Sequence, residues 1–158
     1  MSWRGLIARG NDYFDQSWRS IWFQPVLYLF LFGAGIRLAV NQTEPPPFTK
    51  VIDTDGFYEL WLALLVGSPL AAAVSWWLIF TRRGRFRYAG MWLRLSADLG
   101  VFVTLLTYHL AVIAGNPATE SRIFSRYVVG AVMLFTVELI VRDVWALAVV
   151  EARVRVRR

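Results

Sequence analysis

The chain predicts an all-α integral membrane protein built as a bundle of four transmembrane helices, and three observations carry that prediction. Runs free of charge at 20–36, 60–81 and 99–119 hold 17, 22 and 21 residues, against the roughly 20 helical residues that cross a ~30 Å hydrocarbon core. A fourth apolar stretch at 127–150 has comparable length but contains Glu138, Arg142 and Asp143. The 158 residues are 57% apolar with a mean hydropathy of +0.46, and the second and third runs lack the charged outer face that a water-soluble helix needs. The alternation of period two expected of a membrane β-barrel is absent. Spans are expected at about 20–40, 57–81, 88–114 and 123–150, joined by short loops that leave no room for a separate soluble domain.

Before the first span, Trp3, Leu6, Ile7, Gly10, Tyr13, Phe14, Trp18 and Ile21 recur at helical spacing, while Arg4, Asn11, Asp12, Asp15 and Arg19 fall largely elsewhere. This pattern predicts an amphipathic helix over 1–19 lying in the membrane interface; the alternative is a plain extension of the first span. It does not resemble a short cleavable signal, so the first helix is expected to be retained.

The loop at 41–56 contains Pro45-Pro46-Pro47, which resists helix. Asn41-Gln42-Thr43 matches a glycosylation sequon close to the membrane exit. Asp53-Thr54-Asp55-Gly56 is a fragment of a calcium loop without the remaining ligands, so Asp55 is expected to cap the second helix. In that helix Gly67, Ala71 and Ser75 repeat every four residues, with Ser68 and Ala72 beside them. Such small residues let helix backbones approach closely, and Pro69 is a candidate kink. The third span ends at Gly115-Asn116-Pro117; its His109, beside Thr107 and Tyr108, reads as a hydrogen-bonded structural group.

Placement of positive charge sets the orientation. Arg4, Arg9 and Arg19, then Arg82, Arg83, Arg85 and Arg87, then Arg153, Arg155, Arg157 and Arg158 make eleven on one side, against Arg37, Lys50, Arg122 and Arg126 on the other. The positive-inside rule puts the first side, and both termini, in the cytoplasm, so the chain is expected in the cytoplasmic (inner) membrane. Arg82, Arg83, Arg85 and Arg87 are interleaved with aromatics as a nucleic-acid patch would be, but between two spans they predict contact with anionic lipid headgroups instead.

Five charges remain inside the spans: Arg94, Asp98, Glu138, Arg142 and Asp143. Each costs about 2.5–3.5 kcal/mol in hydrocarbon unless it finds a partner, water or an interfacial position. Glu138 and Arg142 are four residues apart, as are Arg94 and Asp98, so each pair shares a helix face. If the third and fourth helices are antiparallel neighbours, Asp98 lies about 15 Å and Arg142 about 12 Å from the cytoplasmic side. The matching depths predict an interhelical Asp98–Arg142 pair, flanked by Arg94–Asp143, with Glu138 deeper. The structural reading is a clamp that fixes helix register; the functional one is a cation or proton step at Glu138.

No catalytic residues are expected: metalloprotease, phosphate-loop and nucleophile-elbow motifs are all missing. With no cysteine and one histidine, no metal site and no cofactor are expected either. In size, in Arg- and Trp-rich composition, and in the basic tail Arg153-Val154-Arg155-Val156-Arg157-Arg158, the chain resembles the small multi-span membrane proteins of high-GC bacteria and their phages, including holin-like proteins. That resemblance implies oligomerisation and timed permeabilisation of the cytoplasmic membrane. The expected function is therefore that of a non-enzymatic, oligomerising membrane protein with the lipid bilayer and itself or another membrane protein as partners. The alternatives are an anchored assembly subunit and an ion- or proton-conducting subunit using Glu138.

Overall fold

The computed structural model describes residues 23–41, 56–81, 85–114 and 120–156. They form four helices: α1 (Phe23–Asn41), α2 (Phe57–Thr81), α3 (Arg85–Ala114) and α4 (Glu120–Val156). Three helices are long and apolar enough to cross a membrane, at Gln24–Asn41, Phe57–Thr81 and Phe86–Ala114. The 37 residues of α4 extend about 55 Å at 1.5 Å per residue, well beyond a bilayer core. The expected interfacial helix at 1–19, the loop features at 42–55 (including the Asp55 cap), Arg82, Arg83 and the stop at 115–117 lie outside the described residues.

The start of α2 is set by Gly56. Its φ of 81° lies in the left-handed region open to glycine, and its carbonyl accepts the first helical bond from the Leu60 amide at 3.1 Å. Pro69 lies within α2 and is buried; the helix runs through it. At the other end of the chain, α4 continues past the expected limit at 150 to Val156. No Gly or Pro follows Gly130, so nothing in the sequence breaks the helix, and arginines near a helix C-terminus are favoured by its dipole.

Packing proceeds in chain order, α1 on α2, α2 on α3, α3 on α4, each pair antiparallel. Glycines mark where backbones come closest. A methyl group on Gly35 would lie 2.7 Å from Val66 Cγ2, one on Gly90 would lie 3.1 Å from the Ser75 carbonyl, and one on Gly100 would collide with Ser68 Oγ. Two apolar clusters fill the interior. Tyr28, Ala72, Ala97, Val101 and Leu105 form one; Trp61, Leu65 and Ala111 form the other. Trp61 donates its indole N–H to the Thr104 carbonyl at 3.0 Å and stacks on Tyr58 and Tyr108, which satisfies its one polar atom within an apolar cluster.

Beside these apolar clusters, large apolar side chains are exposed while several polar and charged ones are buried. Leu29, Phe30, Val40 and Leu134 are each more than 70% exposed, whereas Gln24, Asp98, Thr136, Arg142 and Asp143 are buried. Exposed apolar side chains occur on all four helices.

Candidate functional site

The buried polar groups converge at one level of the bundle. Antiparallel register between α3 and α4 fixes where: near the α3 start, Tyr88 donates its hydroxyl to Glu151 at 2.8 Å, and near the α3 end, Arg126 donates to the Val112 carbonyl at 3.3 Å. These two links are about 36 Å apart along α3, and Asp98 lies about 15 Å above the first.

At that level Asp143 serves two arginines. Its Oδ1 accepts from Arg142 Nε at 3.0 Å, and its Oδ2 lies 3.0 Å from Arg94 Nε. The second contact is ionic without hydrogen-bond alignment, since neither atom has a hydrogen-bond partner. Gln24, 1% exposed, ties α1 to α3 and α4. Its Oε1 accepts from Arg94 Nη2 at 2.6 Å and from Arg142 Nη2 at 3.1 Å, and its Nε2 donates to Asp98 Oδ1 at 2.9 Å. The Tyr28 hydroxyl donates to the same Asp98 oxygen.

Two guanidinium groups and two carboxylates give the cluster no net formal charge. Charge-assisted bonds of this kind are among the strong ones, and the neutral amide supplies both a donor and an acceptor to charged groups. The arrangement joins α1, α3 and α4, and the second Asp98 oxygen, Oδ2, is buried there without a hydrogen-bond partner among the described residues.

The structure brings together Arg94, Asp98, Arg142 and Asp143 but pairs them differently from the expectation. Arg142 bonds to its neighbour Asp143 and to Gln24, and it reaches Asp98 only through the Gln24 amide. Arg94 does contact Asp143. Glu138 is exposed, about 40° around the α4 axis from Arg142 and about 140° from Asp143, and is not part of the cluster. Gln24 and Tyr28 are members that the sequence does not mark: a neutral amide and a phenol inside an uncharged run carry no charge signal.

Of the small residues on α2, Ser75 is fully buried and Ala71 packs against the first apolar cluster. Gly67 faces open space, and a methyl group added there would meet nothing within 4 Å. The side that meets α3 carries Ser68, Ala72 and Ser75. His109 faces α4 near Gly130, and its buried Nδ1 has no hydrogen-bond partner among the described residues. Arg87 is exposed at the start of α3; Arg82, Arg83 and the side chain of Arg85 lie outside the described set.

Fold and cluster together define a class: a helical protein with many exposed apolar side chains, a polar cluster set beside its apolar core, and three helices of membrane-crossing length and composition. Beyond that class, no family model matches the chain, and no curated protein or solved structure is similar to it.

Proposed function

We propose that the chain is a four-span inner-membrane protein with both termini in the cytoplasm, which acts by assembling with other membrane proteins, first with copies of itself, and performs no covalent chemistry. The exposed apolar side chains, set against charged ones buried in the bundle, carry this reading. Exposed apolar residues on every helix suit lipid and would be an aggregation hazard in water. The charges of α4 are compatible with a fourth span, because Arg142 and Asp143 face the bundle and are paired there, as intramembrane charges normally are. The eleven positive charges that the sequence pattern assigns to one side support this orientation, with residues 1–19 as an interfacial helix and the Arg82–Arg87 stretch against anionic headgroups.

Holin-like permeabilisation is the form of assembly that the resemblance implies. The conducting alternative has less support: Glu138 faces outward, and Asp143 inside the bundle is ion-paired with two arginines. Reconstitution in liposomes tests the reading through copy number, by single-molecule photobleaching, and through dye release. Two or more copies per assembly is the expected result, with dye release identifying the permeabilising form. Single copies at every protein-to-lipid ratio contradict assembly, and acid-dependent ion flux lost in Glu138→Gln would establish transport instead.

A further inference from the structure

Glu138 poses the problem that the cluster leaves unsolved. It occupies the centre of the exposed side of α4, between Leu134 at 73% and Val141 at 62% exposure. It stands about 17 Å along the helix from Tyr127, so in a spanning α4 it falls near mid-membrane. No described residue hydrogen-bonds or ion-pairs with it, and the cluster's two arginines are both ion-paired to Asp143. Lipid tails offer a carboxyl neither a donor nor an acceptor.

The residues around it have a definite spacing. Tyr127, Ala131, Leu134, Glu138, Val141 and Trp145 follow one another at alternating intervals of four and three, and every one is exposed. That is the seven-residue repeat of a left-handed helix–helix seam, the commonest crossing geometry in membrane bundles. The stripe is about 27 Å long, close to the thickness of the hydrocarbon core. Among the described helices α3 is the one that packs extensively on α4, and every position of the stripe is exposed with respect to the described residues.

We propose that this stripe docks α4 of a second copy of the chain, parallel and in register, with Glu138 meeting Glu138 across a two-fold axis. The inference rests on the assembling role proposed above and names its surface. Copies inserted with one orientation present the same stripe at the same depth, so the seam is matched to itself position by position. Ala131 leaves room for the helices to close, while Leu134, Val141 and Trp145 fill the layers on either side of the carboxyls. Each carboxyl offers the other the hydrogen-bonding partner that lipid tails do not. A single polar residue at a seam position fixes register and copy number in helical assemblies, which is the role assigned to Glu138.

The chain has no cysteine, so disulfide scanning of the full-length protein in liposomes has no background. Leu134→Cys and Val141→Cys place thiols in the seam; Leu110→Cys on α3 and Leu70→Cys on α2 are exposed controls. Oxidation should cross-link the seam positions at least about fivefold above the controls. In the Leu134→Cys background, Glu138→Leu should lower the yield about three- to thirtyfold, the range expected for one interhelical hydrogen bond in a membrane. Glu138→Gln, whose amides both donate and accept across the seam, should retain it. Equal yields at all four positions, or a yield indifferent to Glu138→Leu, would overturn the proposal. Multiple copies by photobleaching without seam cross-links would leave assembly standing and remove this surface; single copies throughout would remove both.

Discussion

Replacing Asp143 by alanine is the most informative perturbation of the cluster. This carboxylate contacts Arg142 Nε and Arg94 Nε at 3.0 Å each, with only 8% of its side chain exposed. Removing it leaves two guanidinium groups facing one remaining carboxylate, Asp98, which contacts them through Gln24. Breaking a buried pair by deleting one partner costs about 3–5 kcal/mol. Gln24 Oε1 still accepts from both arginines, which places the loss near the lower limit, at about 3 kcal/mol, or roughly a 150-fold fall in the folded-to-unfolded ratio. Asp143→Asn keeps one acceptor oxygen and should lose about half as much, whereas Glu138→Ala, on the exposed side, should stay within about 0.5 kcal/mol as measured on a single copy. Reversible unfolding in mixed detergent micelles, followed by tryptophan fluorescence, measures all three. A loss below about 1 kcal/mol for Asp143→Ala, or one no larger than for Glu138→Ala, refutes the claim that these charges hold the helices together.

Other expectations follow from the helix contacts. Gly100→Ala should destabilise the bundle by about 1–3 kcal/mol, because the new methyl collides with Ser68 Oγ. Adding Ser68→Ala removes the colliding atom and should recover most of the loss, while Gly67→Ala, with open space around it, should be neutral or mildly stabilising; the same unfolding assay reports all of these. Tyr88→Phe deletes the 2.8 Å bond to Glu151 and should cost about 0.5–1.5 kcal/mol, with faster amide exchange confined to the adjoining end of α4.

How much of this is legible in the sequence varies by element. The helix over Phe57–Thr81 coincides with the expected span because an uncharged run bounded by Glu59 and Arg82 marks both hydropathy and length. The side of α2 that faces α3 is harder to place. A helix apolar all round has no amphipathic period, so the 67/71/75 and 68/72/75 alternatives differ by one residue and only packing separates them. Charge is informative about α3 and α4: the matching depths of Asp98 and Arg142 locate the right level of the bundle. The partners at that level depend on α1, whose Gln24 is neutral, and on the side-chain directions that turn Arg142 inward and Glu138 outward. The four-residue spacing of those two residues suggests a shared face. On α4 they are about 40° apart around the axis, enough for one to be buried while the other is exposed.

The central claim is that polar side chains lie inside a bundle whose apolar exterior contacts lipid. Spin labels attached to single cysteines in the reconstituted protein test it directly, through collision with oxygen, which concentrates in lipid, and with a water-soluble nickel complex. Labels at Leu29, Phe30 and Leu134 should collide strongly with oxygen and little with nickel, and a label replacing the buried Thr136 should be shielded from both. Strong nickel collision at Leu29, Phe30 and Leu134 would contradict the account, because those surfaces would then face water.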